Sequence, residues 1–129
     1  MLARYSIERG RKLADYPRRL REGTRQDTRK HTRHVLRPDT AEVTKYLDDP
    51  TDAAWARFEK AYLQALRERF LADPAPFDEL AALAAEGDVY IGCNCPTAKN
   101  PDVRRCHTTL ALGFMKKRYR DLKVSLPTK

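Results

Sequence analysis

Asp88-Val89-Tyr90-Ile91-Gly92-Cys93 is a short, almost uninterrupted apolar run that follows Gly87 and opens into a polar loop. Such a run is too short for a helix and is rich in β-branched and aromatic residues. It therefore reads as a strand buried on both faces, the kind found in parallel sheets. The sequence beyond it agrees. After the loop, Thr108 to Tyr119 carries Leu110, Ala111, Phe114 and Met115 at helical spacing, and Lys123-Val124-Ser125-Leu126 reads as a final strand. Strand, helix and strand in that order make a parallel βαβ unit. Lys116, Lys117, Arg118 and Arg120 gather near the end of the helix, where cations complement its dipole.

Upstream of the run the chain is mostly helical. Gly87 stands where a C-terminal cap is expected, after an amphipathic helix bearing Phe77, Leu80, Leu83 and Ala84. Asp73-Pro74-Ala75-Pro76 separates it from the clearest helix of the protein, which Thr51 or Asp52 can cap. Its stripe of Trp55, Phe58, Tyr62, Ala65, Leu66 and Phe70 is read as core packing rather than as a base-stacking platform. Asp39 and Glu42 have capping-box spacing and open a shorter helix with Val43, Tyr46 and Leu47 on one face, ended by Asp48-Asp49-Pro50. Arg4-Tyr5-Ser6-Ile7 reads as the first strand. Between them, about residues 17–36 are so dense in Arg, Lys, Thr and His that a long polar loop is expected. The expected architecture is one small α/β domain over residues 1–129, a mostly parallel sheet with helices on both faces.

Composition narrows the partners. The 129 residues include 34% charged side chains and a net charge of +8, unevenly placed. Residues 1–38 carry 12 basic against 4 acidic side chains, 39–91 carry 5 against 12, and 92–129 carry 9 against 2. Two basic segments flank an acidic helical middle. Folded together, they would attract an anionic ligand such as a nucleotide or a nucleic acid. No apolar run approaches the roughly 20 residues that a membrane helix needs, and the N-terminus has no signal-peptide core, so a cytoplasmic protein without a membrane partner is expected.

All three cysteines lie between Gly92 and Thr109. They are too clustered for a disulfide framework, so the pattern points to thiols or metal ligation at a strand-to-helix junction. Cys106 and His107 open the last helix, where unpaired N–H groups and the dipole favour a thiolate. Cys106 is the candidate nucleophile, His107 the proton-transfer group, and Cys93 a third catalytic candidate. Arg104 and Arg105, with Asn94, Thr108, Thr109, Arg11 and Arg37, are candidate contacts for a bound anion. The alternative is tetrahedral zinc held by Cys93, Cys95, Cys106 and His107; the Cys-x-Cys and adjacent Cys-His spacings are unusual for such a site, and no other cofactor is expected. His31 and His34, beside Arg29, Lys30 and Arg33, could extend a phosphate-contacting surface.

These residues resemble the family catalogued as domain of unknown function 488 (DUF488). The resemblance runs through Trp55, Phe58 and Tyr62, Leu80 and Leu83, the strand Val89-Tyr90-Ile91-Gly92-Cys93, and Cys106-His107 with Leu110-Ala111. It extends to Tyr5-Ser6, Arg11-Lys12-Leu13 and the Leu36-Arg37-Pro38 turn. Thr108 stands where that family has arginine, and Cys95 makes a Gly-Cys-x-Cys turn similar to that of a second group ending in Cys-His. The resemblance implies a small α/β fold with its site at Cys93 and Cys106-His107, and implies no reaction. The expected function is a nucleotide- or nucleic-acid-associated protein using thiol or phosphate-directed chemistry, or else a non-enzymatic phosphate-binding module with a structural zinc.

Overall fold

The computed structural model describes residues 1–7 and 24–127. Its centre is the apolar run: Val89–Cys93 forms β3, with every residue buried. β1 (Leu2–Ser6) and β2 (Thr24–Asp27) pair with β3 on either side, both parallel to it. Leu2 and Thr24 both stand opposite Val89, and Tyr5 and Asp27 both stand opposite Gly92. The C-terminal ends of all three strands therefore lie at one edge of the sheet.

Among the described residues four α-helices complete this small single-domain α/β fold: α1 (Thr40–Asp48), α2 (Asp52–Ala72), α3 (Ala75–Glu86) and α4 (His107–Arg118). Their starts follow local chemistry. Asp39 accepts from the Ala41 and Glu42 amides at the head of α1, and Thr51 accepts from Ala54 at the head of α2. Caps of this kind each stabilise a helix by about 1 kcal/mol. Gly87 caps α3 through its N–H to Leu83 O, with an extended backbone at φ −166° rather than a left-handed one.

The aromatic stripe of α2 is core, as its spacing implied. Phe58, Tyr62 and Leu66 are buried, and rings stack from Trp55 to Phe58 at 5.4 Å and from Phe58 to Tyr62 at 5.9 Å. The ladder ends against His107, edge-on to Tyr62 at 5.9 Å. Packing of the longest helix thus fixes one face of the histidine ring.

Three segments differ from expectation. Thr24–Asp27 is strand rather than loop, although Thr-Arg-Gln-Asp has no apolar pattern; pairing with β3 supplies its backbone hydrogen bonds, including Thr24 N–H to Asp88 O at 2.9 Å. The last strand shrinks to an isolated bridge between Leu2 and Val124, held by Leu2 N–H to Lys123 O and Ser125 N–H to Leu2 O. The first strand begins at Leu2, two residues before the expected start, because Leu2 is fully buried against the core.

Candidate functional site

β3 ends at Cys93, in the middle of the sheet, and the chain turns through Asn94 and Cys95 before the loop that leads to α4. Cys106 is the residue that caps α4, so the loop returns its sulfur to the strand end it left. The Sγ atoms of Cys93 and Cys106 lie 2.9 Å apart. Those of Cys93, Cys95 and Cys106 all lie within 4.8 Å of one another. Cys93 and Cys106 are buried, at 4% and 3% exposure, and Cys95 is half-buried.

Each sulfur accepts a hydrogen bond from the surrounding protein. Cys95 N–H and Arg4 Nη2 donate to Cys93 Sγ at 3.4 and 3.5 Å. Asn100 Nδ2 donates to Cys95 Sγ at 3.2 Å, and Thr108 Oγ1 donates to Cys106 Sγ at 3.1 Å. Arg4 ties the group together from β1: its Nε donates to Thr108 Oγ1 at 3.0 Å and its Nη2 to the Cys95 carbonyl at 2.6 Å. The Cys95 carbonyl also accepts from Ser6 Oγ at 2.5 Å. The hydrogen bonds from Cys106 and then Cys95 hold the Cys93 thiol well below its ordinary pKa, with His107 and Arg4 adding to the effect and burial opposing it. Cys106 moves well up, through its bonds to Cys93 and Cys95 and through burial. Cys95 moves up as well, so Cys93 is the thiol of the three that ionises first.

His107 completes the inner wall. Its Nε2 lies 2.9 Å from Thr28 Oγ1, and the Thr28 hydroxyl donates its own hydrogen to Gly92 O, also at 2.9 Å. Thr28 must then accept from His107, which places the ring proton on Nε2 and leaves Nδ1 bare, 3.8 Å from Cys106 Sγ. Burial lowers the His107 pKa to about 4, so the ring is neutral at neutral pH. Its bare Nδ1 faces the Cys106 sulfur, whose own proton is directed to Cys93.

A cavity of about 260 Å³ opens over this floor. Cys93, Cys95 and His107 lie beneath it, Arg29, Lys30 and His31 form one wall, and Pro38, Val43 and Leu47 form another. No carboxylate lines it among the described residues. Lys30 has no ion-pair partner among them, whereas Arg29 is paired with Asp27 at 2.8 Å and donates to Asn94 Oδ1 at 3.3 Å. A larger hollow of about 770 Å³ lies beside α3 and the chain after α4, but it contains none of the cysteines or histidines.

The remaining candidates are divided. Asn94 lines the cavity and Thr108 is bonded into the sulfur group. Arg104 pairs with Asp102 at 2.9 Å and Arg105 with Asp52, and Arg105 also lines a small cavity of about 70 Å³ with Cys95, Cys106 and His107. Thr109 donates to Val103 O at 2.6 Å and Arg37 to His34 O at 3.1 Å, so both serve backbone carbonyls. Arg11 lies outside the described residues. His34 bonds Gln26 instead of joining His31 at the cavity. Arg4, Thr28 and Asn100 contact the candidate site without having been singled out from the sequence. For Arg4 a signal existed: a charged residue two positions inside a strand whose neighbours Leu2 and Ala3 are apolar needs a buried partner.

Comparison with known proteins finds no matching family model, no matching curated protein and no matching solved structure. The site joins a hydrogen-bonded thiol group, a neutral histidine and a cation-lined opening of small-ligand size.

Proposed function

We propose that this protein binds a small phosphate-bearing molecule of the nucleotide class in the cavity above β3, with the Cys93 sulfur as the reactive group at its floor. One observation carries the reading: the cavity joins a thiol floor to a wall of Arg29, Lys30 and His31, with no carboxylate among its described lining. Cationic side chains hold phosphate oxygens through charge-assisted hydrogen bonds. The apolar wall of Pro38, Val43 and Leu47 suits the uncharged part of such a ligand. At about 260 Å³ the space lies just below the usual ligand-pocket range of about 300–1,000 Å³, which favours a mononucleotide over a larger cofactor. The placement at the carboxyl ends of parallel strands adds support, because open α/β sheets bind ligands there. Likeness to the DUF488 family, through Cys93 and Cys106-His107, belongs to the same proposal.

The test is calorimetric titration of the reduced chain with adenosine monophosphate and with adenosine. The nucleotide is expected to bind at least 10-fold more tightly, about 1.4 kcal/mol, and Lys30→Ala to remove most of that preference. Equal affinity for the two, or binding of neither, refutes the reading. A non-enzymatic binding role is the second reading, favoured by the burial of both Cys93 and Cys106. Iodoacetamide separates the two: a reactive Cys93 is alkylated in the free protein and protected by the nucleotide, whereas a purely binding site leaves Cys93 unmodified in both states. Single-stranded oligonucleotide that competes with the nucleotide, with an affinity falling steeply as salt rises, would extend the ligand to nucleic acid.

A further inference from the structure

The geometry points to a zinc site formed by the Sγ atoms of Cys93, Cys95 and Cys106, with its fourth position open toward the cavity. Three cysteine sulfurs within 4.8 Å of one another already occupy nearly the space of a metal-thiolate centre. With Zn–S bonds of about 2.3 Å at tetrahedral angles, ligand sulfurs stand about 3.8 Å apart. Closing the trio on a metal requires Cys93 and Cys106 to part by under about 1 Å and the wider pairs to draw in by a similar amount, well within side-chain rotation.

A second observation is independent of those distances. Every sulfur accepts an N–H or O–H donor: Cys93 from Cys95 N and Arg4, Cys95 from Asn100, and Cys106 from Thr108. Metal-bound ligands are oriented and charge-balanced by such outer donors. Three thiolates and one divalent ion leave a net charge of −1, and the Arg4 guanidinium beside Cys93 balances it. All-sulfur donor sets select soft or borderline metals, and zinc is the common one.

Of the four ligands that the sequence suggested, His107 stays outside the group. Its Nε2 is committed to Thr28, and its Nδ1 faces Cys106 rather than the space between the sulfurs. Three protein ligands with one open position is the arrangement of zinc sites that exchange a fourth ligand, not of closed structural ones. Cys93 and Cys95 also line the cavity, so that position faces its interior. The inference stands on the sulfurs and does not need the nucleotide reading.

The experiment is titration of the reduced full-length chain with zinc against a chromophoric chelator, with native mass spectrometry for stoichiometry. One zinc per chain is expected. Asn100→Ala should weaken it about 10- to 100-fold, as loss of an outer-shell donor does elsewhere, and Cys95→Ser at least as much. Because a variant can fail by misfolding, the wild-type chain supplies a second measurement: bound zinc should suppress alkylation of all three cysteines. Lys30→Ala should retain full zinc affinity while losing the nucleotide preference, so failure of one idea is distinguishable from failure of the other. Absence of bound zinc, Cys95→Ser binding as tightly as wild type, or zinc that leaves the thiols reactive overturns the site.

Discussion

Thr28 and His107 form a one-directional hydrogen bond across the sheet edge: the ring Nε2 donates to a hydroxyl whose own hydrogen is given to Gly92 O. Both residues are buried, and together they join the end of β2, the C-terminal end of β3 and the first residue of α4. Thr28→Val keeps the shape and removes the acceptor. A buried ring N–H without a partner costs about 1–3 kcal/mol, so urea unfolding should show a loss of that size, with Thr28→Ser retaining most of the stability. A Val variant as stable as wild type would contradict the assigned ring proton.

Gly92 is required by a close approach. A Cβ there would stand 2.5 Å from Tyr5 Cε1 and 2.6 Å from Cζ, across the β1–β3 pairing. Gly92→Ala must push the ring aside, and overpacking of this kind costs about 1–3 kcal/mol. Gly87→Ala is the control, since nothing lies within 4 Å of the added carbon. Denaturant midpoints should fall for the first and hold for the second. Trimming the ring in the double variant Tyr5→Leu/Gly92→Ala should recover part of the loss, the sign of direct coupling.

The segment before α1 is fastened to α2 through backbone carbonyls. Tyr62 Oη donates to Leu36 O at 2.6 Å, and Arg69 Nη1 donates to Val35 O and Arg37 O at 2.7 and 2.8 Å. Tyr62→Phe leaves a buried carbonyl unpaired and should cost about 1–3 kcal/mol in unfolding free energy. Hydrogen exchange should quicken over residues 34–38. Unchanged exchange in that segment would show that the carbonyl contacts do not hold it.

His34 links stability to pH. Leu36 N–H donates to its Nδ1 at 3.1 Å, so Nε2 carries the hydrogen that reaches Gln26 Oε1 at 2.7 Å, and the neutral ring is the one that fits. Burial lowers its pKa below the ordinary 6.5, with Asp27 opposing and Arg37 assisting. The unfolded chain then binds a proton more readily than the folded one, so this contribution is complete above about pH 6.5 and is lost as pH falls through the lowered folded value. Ring titration followed by NMR should give a midpoint below 6.5, and His34→Gln should flatten the fall in stability on the acid side. A midpoint at or above 6.5 would reverse the sign.

Much of the architecture was legible because its causes are local. Ile91 and its neighbours are apolar on both faces of a short run, and β3 is buried throughout. Asp39 and Thr51 cap the helices that follow them, and the spacing of Phe58, Tyr62 and Leu66 marked the buried face of α2. The site's address was legible too, since Cys93 and Cys106-His107 stand at the ends of readable elements. What escaped was set by partners far along the chain. Thr24–Asp27 has no pattern of its own and becomes a strand only because β3 offers it a ladder. Arg104 and Arg105 pair with Asp102 and Asp52, the second of which lies on a distant helix that spacing along the chain does not disclose.

Helical periodicity, caps and the short apolar run act within a few residues, so their outcome can be read in order along the chain, as can the gathering of cysteines near one strand end. The convergence of three sulfurs, the Arg4 bridge over some 90 positions to Cys93 and Cys95, and the orientation of His107 toward Thr28 depend on the order β1-β3-β2. Sheet order sets which distant donors meet a given sulfur, and the hydrogen bonds among the converged thiols set which of them ionises first. That is why residue types placed the candidate site near Cys93, while packing made Cys93 rather than Cys106 the thiol of lowered pKa and lined the cavity above it with Arg29 and Lys30.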